Sequence, residues 1–183
     1  ERYYHSICKS DRPTFDLCEE LGIALKLRWR PTSMGYYVIG RCYKWGDPFS
    51  LLTFPLLGPI AKFRYGLHMF GCTRRRDFDD LENGDAKSWI VKGCGQKVYD
   101  LLWHPLFHLK FFEYEDNISA AWIATRIKRV GTSRRSLLQE ELGYIEGGSE
   151  TLLQAMKAAI ELRGGEVRLR APVSKVVIEA SEV

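Results

Sequence analysis

Gly143-Tyr144-Ile145-Glu146-Gly147-Gly148-Ser149-Glu150-Thr151-Leu152-Leu153 is the stretch around which this 183-residue chain organises itself. Two adjacent residues without a Cβ stand directly before an apolar-periodic run, Leu152, Leu153, Met156, Ala159 and Ile160. That run predicts a helix over 149–162, closed by Gly164-Gly165. A Gly-Gly pair at a helix start lets the backbone approach a flat ligand or another strand, and the first-turn N–H groups favour negative charge there. The same pair also serves as an ordinary loop between elements. At least one of the two is expected in a conformation costly for other residues.

Working outward, two strands are expected after the helix, over 166–170 and 173–179, on either side of Pro172. Upstream, Asp11 or Thr14 can cap a helix carrying Phe15, Leu17, Cys18 and Leu21, with Gly22 to end it. From Leu25 to Trp45 short alternating segments follow, with Gly40-Arg41 read as a tight hairpin. Asp47-Pro48 suits an N-cap with Pro at the first helical position. Helices are then expected over 49–53, 59–72, 85–90, 95–102 and 119–129, with 73–80 as an exposed charged turn. Strand-rich start, helical middle and helix-strand-strand finish make an α+β chain, with a mixed sheet and a largely helical middle.

Hydrophobic residues make up 45% of the sequence, enough to bury a core in one domain or two joined lobes. Five Trp, nine Tyr and nine Phe can fill that core or wall an apolar pocket. The net charge of +4 is spread along the chain, which argues against nucleic acid as a partner. Cys8, Cys18, Cys42, Cys72 and Cys94 are odd in number and far apart, as expected of reduced thiols in a cytoplasmic protein. The longest apolar run, Leu51 to Ile60, is broken by Pro55, Gly58 and Pro59 and is too short to span a bilayer. Opening at Glu1, without an initiating Met or a leader, the chain reads as a piece of something longer.

No nucleophile elbow, phosphate loop or dinucleotide-binding glycine motif is present. Gly93-Cys94-Gly95 reads as a helix-to-helix turn. His104 and His108 have a spacing that can share a helical face, yet Pro105 stands between them and no third ligand has a convincing position. No metal is expected. Basic residues gather at Arg74-Arg75-Arg76 and over Arg126, Lys128, Arg129, Arg134 and Arg135. They form either solvated faces or a contact for an anionic group, whether carboxylate, phosphate or acidic membrane surface.

One succession ties these pieces together. Tyr4-His5 with Ser10-Asp11, Gly35-Tyr36-Tyr37-Val38 with Gly40-Arg41 and Tyr43, and Ala86 with Trp89-Ile90 lead to Trp103, Pro105 and Lys110-Phe111. Ser119 with Trp122 and Arg126, then Gly143-Tyr144-Ile145 with Gly147-Gly148, Gly164-Gly165 and Val173, complete it. The order resembles the superfamily of flavoproteins that includes amine oxidases, protoporphyrinogen oxidases and phytoene desaturases. The likeness covers nearly the whole chain. Two departures stand out: Phe112 follows Lys110-Phe111 where relatives often have Gly, and Ser149-Glu150 follows the Gly-Gly pair where an aromatic is common.

The resemblance implies the central fragment of a two-domain FAD-linked oxidoreductase, with the dinucleotide-binding motif outside it. Residues 1–142 would form a substrate-binding domain and 143–183 a return segment to the FAD-binding domain. Gly147, Gly148 and Val173 would then lie at the FAD, with Val173 meeting the adenine through its backbone. Tyr36, Tyr37, Trp45, Trp103, Phe107, Phe111 and Trp122 are expected to wall a pocket for an apolar or polycyclic substrate such as a porphyrinogen, an isoprenoid or an amine. Hydride would pass to FAD in the full-length protein, while the fragment alone would bind no FAD tightly and lack activity. Two other readings stay open: a flavin-dependent sugar-nucleotide mutase, and a non-catalytic lipid- or isoprenoid-binding module. Peripheral membrane contact and self-association through open strand edges are the expected partnerships.

Overall fold

The structure is a computed structural model that describes residues 6–136 and 138–177. Helix α1 (Arg12–Glu20) precedes strands β1 (Leu27–Pro31), β2 (Met34–Val38) and β3 (Arg41–Trp45). Helices α2 (Pro48–Thr53), α3 (Pro59–Arg74), α4 (Ala86–Cys94), α5 (Gln96–Val98), α6 (His104–Phe111) and α7 (Ala120–Thr132) make up the middle. Strands β4 (Arg134–Ser136) and β5 (Gln139–Ile145) and helix α8 (Ser149–Leu162) follow. The α+β class holds. Both sheets are antiparallel rather than mixed: β1-β5-β4 and the β2-β3 hairpin.

Local chemistry sets most helix ends. Asp47 caps α2 reciprocally with Ser50: the Ser50 N–H donates to Asp47 Oδ1 at 2.8 Å and the Asp47 N–H to Ser50 Oγ at 3.2 Å. Gly22, just beyond α1, takes a φ of 68°. The hairpin turn is Ile39-Gly40, with φ of 50° and 72°, one residue earlier than expected; two successive positive φ values match the right-handed twist of the strands. The chain stays helical through Pro105, contrary to the expected break. A wide π-type turn over Tyr99–Trp103 leads into α6, and Pro105 falls in the first turn, where an N–H lacks an intrahelical partner anyway.

The strands expected over 166–170 and 173–179 do not form among the described residues, and positions 178 and 179 lie outside these. A strand needs a neighbour to take its N–H and C=O groups. Here Leu169, Val173, Val176 and Val177 are exposed in irregular chain, so among the described residues no strand edge stands there.

The principal core joins Phe54, Leu57, Ile90, Val98, Tyr99, Leu102, Trp103, Phe107 and Ile123. Burial pushes the thiol of Cys94, in this core, up to about 12 and that of Cys72, on α3, up to about 11. A second, smaller core of Cys18, Ile23 and Ile145 seats α1 and α8 on β5. All five cysteines are free. Among the described residues no helix is long and apolar enough to cross a membrane.

One ion pair ties the segment before α1 to α7. Asp11 does not cap α1 with its side chain. Its carboxylate instead accepts Arg129 Nε at 2.8 Å and Nη2 at 2.6 Å, along with the Cys8 N–H at 2.9 Å. Arg129 also donates to the Ser6 carbonyl. Burial raises the Asp11 carboxyl, but Arg129 and the Cys8 amide outweigh it and hold the group below the usual carboxylate range. Because the folded value is depressed, this stabilisation is present above the unfolded value, near ~3.9, and is lost as pH falls through the folded one. Asp11→Asn should therefore cost about 1–3 kcal/mol at neutral pH in urea denaturation. The difference from the parent should shrink towards zero in strong acid.

Candidate functional site

The hairpin alternates its side chains across two faces. Tyr36, Tyr43 and Trp45 point inward and meet Phe54 at 6.0, 5.3 and 5.0 Å between ring centroids, all edge-on. The Tyr36 hydroxyl donates to the Leu101 carbonyl, and burial raises its phenol above the ordinary value. Tyr37, one residue on, faces the opposite side and is exposed. The structure thus brings Tyr36 and Trp45 together and sets Tyr37 apart from them.

A second aromatic series runs along α6. Trp103, Phe107 and Phe111 follow each other at i, i+4 spacing, with centroids 5.7 and 5.9 Å apart, and Phe111 meets Trp122 of α7 at 5.7 Å. Every contact is edge-to-face, the favoured arrangement for rings with a negative face and positive rim. Trp103 and Phe107 are buried, whereas Trp122 reaches the surface. The Trp103 indole N–H is buried with no acceptor among the described residues. At the outer end Arg126 stands 5.0 Å from the Trp122 ring centre, and Lys110 stands 5.8 Å from Phe111 and 5.9 Å from Trp122. An apolar ring extended from this ladder would meet two cations suited to a carboxylate or other anion. Sequence reading missed Lys110 and Arg126 as partners of the wall, although the Trp122-Arg126 spacing places both on one helical face.

Phe112 ends α6 with φ 49° and ψ −118°, a region glycine tolerates and bulky residues avoid. Phe112 therefore carries backbone strain, directly beyond Lys110-Phe111.

The remaining basic residues are mostly structural. Lys128 donates to the Arg75 carbonyl at 2.6 Å, Arg129 holds Asp11, and Arg134 donates to the Gly46 carbonyl at 2.6 Å. His104 and His108 do share a face, their ring centroids 6.1 Å apart. The turn after α6 returns Glu115 to them, 3.1 Å from His108 Nδ1 and 3.9 Å from His104 Nε2. Among the described residues no group of three His, Cys, Asp or Glu is arranged to hold a metal ion. Trp45 also borders a cavity of about 160 Å³ between β3 and β5, shared with Thr32, Lys44, Asp47 and Glu140; burial raises the Glu140 carboxyl.

Gly147 and Gly148 form the loop between β5 and α8, with φ of 86° and 77°, as their sequence predicts. A Cβ on Gly147 would stand 2.4 Å from Thr151 Oγ1, which itself bonds the Glu146 carbonyl at 3.0 Å. The Thr151 side chain thus fills the space beside Gly147, and the loop turns tightly into the helix start. Val173 lies in the exposed segment past α8.

Comparison with protein families matches residues 2–183 to the flavin containing amine oxidoreductases. The chain belongs to this family, whose members use a flavin to carry out redox chemistry. Comparison with curated proteins finds no match.

Three substitutions probe this geometry. Phe112→Gly should stabilise the fold by roughly 1 kcal/mol in chemical denaturation, since relief of about 1–3 kcal/mol of strain exceeds about 0.4–1 kcal/mol of added unfolded-state entropy. Gly147→Ala should destabilise it by about 1–2 kcal/mol from φ alone, plus the clash. Adding Thr151→Ala should recover the clash and leave the φ cost.

Proposed function

We propose that this chain is the substrate-binding portion of a flavin-dependent oxidoreductase that oxidises an apolar or polycyclic molecule, in the class of porphyrinogens, isoprenoids and hydrophobic amines. The observation that carries the reading is the unbroken aromatic ladder from buried Trp103 to surface Trp122, ended by Lys110 and Arg126. Such a series offers face and edge contacts to a planar apolar ligand, and the cations fix which end of it points outward.

In this reading residues 1–142 hold the substrate and 143–183 return to the FAD-binding domain. Gly147 and Gly148 lie against FAD through bare backbone, and the segment at Val173 approaches its adenine. Once bound, FAD supplies the hydride acceptor. This chain's residues do the rest: the ladder excludes water and orients the ring system, and Lys110 and Arg126 bind an anionic substituent. No acid/base or nucleophile motif is needed for that division of labour.

The intact protein should purify with bound flavin and show substrate-dependent bleaching of its flavin absorbance. Trp122→Ala should raise KM for a polycyclic substrate about tenfold, equivalent to ~1.4 kcal/mol, with a smaller change in kcat. Tyr37→Ala, on the opposite face of the hairpin, should leave both constants unchanged. An intact protein free of flavin, or equal effects of the two substitutions, would refute the reading.

A further inference from the structure

Helix α3 is apolar on two opposite faces. One face, with Ala61, Tyr65, Met69 and Cys72, enters the principal core or lies against α4 and α7. The other carries Ile60, Phe63, Leu67 and Phe70, which are 79, 71, 59 and 57% exposed. Their spacing of three, four and three residues keeps them on one stripe. Phe49 and Leu52 of the neighbouring α2 add two more side chains, each 66% exposed. The Lys62 ammonium ties the two helices together by donating to the Leu52 carbonyl at 2.6 Å. Among the described residues nothing covers these six, and so many large apolar side chains left exposed on two neighbouring helices mark a binding face.

The charge of the same segment says what binds. From Pro48 to Arg76 there is no Asp or Glu, while Lys62, Arg64, Arg74, Arg75 and Arg76 are all basic. Arg64 is engaged by the Lys92 and Gly93 carbonyls, and Arg75 by Asp80. Arg74 and Arg76 stay exposed at the end of the stripe, and the Arg74 guanidinium lies 5.1 Å from the Phe70 ring centre. Acidic residues begin only at Asp77, beyond the helix end. A second copy docking symmetrically would set this cationic rim against its own kind. An anionic lipid surface takes both features at once: the rings and aliphatic chains enter the acyl boundary while the arginines stay at the phosphates.

We infer that the α2–α3 face seats the protein on anionic phospholipid, with α3 lying in the plane of the interface. The inference is independent of the flavin reading. It is tested by sedimenting the intact protein with vesicles of phosphatidylcholine containing about one-third phosphatidylglycerol. The expected result is pelleting that falls about tenfold with pure phosphatidylcholine vesicles, or when ~1 M salt screens the surface charge. Phe63→Ser with Phe70→Ser should abolish pelleting, and Arg74→Glu with Arg76→Glu should reduce it to the level of neutral vesicles. All these positions are exposed, and an unchanged thermal melt and flavin content verify that each variant is folded. Equal recovery with and without vesicles would overturn the inference, as would equal binding to neutral and anionic vesicles. A dimer in analytical ultracentrifugation that the Phe63 and Phe70 substitutions dissolve, without vesicle binding, would assign the face to a second copy instead.

Discussion

The antiparallel pairing of β1 with β5, Leu27 opposite Ile145 and Trp29 opposite Gly143, is the constraint on which the rest of the molecule depends. It joins strands separated by the hairpin and all the middle helices, so its contacts must repay the closure of a long loop. β5 is also the centre of its sheet, with β4 on its other edge and Ile7 bridged to Gly143 through bonds of 2.8 and 2.7 Å. Gly143 eases this convergence. A Cβ there would stand 3.2 Å from the Trp29 ring. The Asp11–Arg129 pair then locks the same junction from the side of α1 and α7.

From this frame the two aromatic groups and the glycine loop acquire fixed positions. β5 delivers Gly147-Gly148 directly to the start of α8, and the Glu146 N–H bonds the Lys26 carbonyl at 2.8 Å, so the loop is anchored on the β1 side. The hairpin lays Tyr36 and Trp45 over Phe54, and the π-type turn at Tyr99–Trp103 rotates α6 so that Trp103, Phe107 and Phe111 line up towards Trp122. The strained Phe112 ends that line at the point where Lys110 and Phe111 meet Trp122. Such strain persists only where the surrounding packing holds the residue in place.

The same logic accounts for α3. A helix apolar on two opposite faces gives no clean amphipathic period, so its outer stripe is invisible to a search for one apolar face. Folding sorts the two faces, burying Ala61, Tyr65 and Met69 against the core and leaving Ile60, Phe63, Leu67 and Phe70 outside.

What sequence alone determined is what depends on neighbours a few residues apart. The N-cap at Asp47 with Pro48 behind it, the glycine ending α1, the hairpin near Gly40, the span of α8 and a positive φ in the Gly147-Gly148 pair all follow from local stereochemistry. The family likeness was legible too, because it rests on the order of short motifs. Tertiary structure decided everything that needs a distant partner. It put Tyr36 inside and Tyr37 outside, carried the helix through Pro105, brought Glu115 to two histidines, and moved the Asp11 carboxylate from its own helix to Arg129. It also left 166–177 without a ladder, since apolar alternation makes a strand only where another strand's N–H and C=O groups stand ready to pair with it.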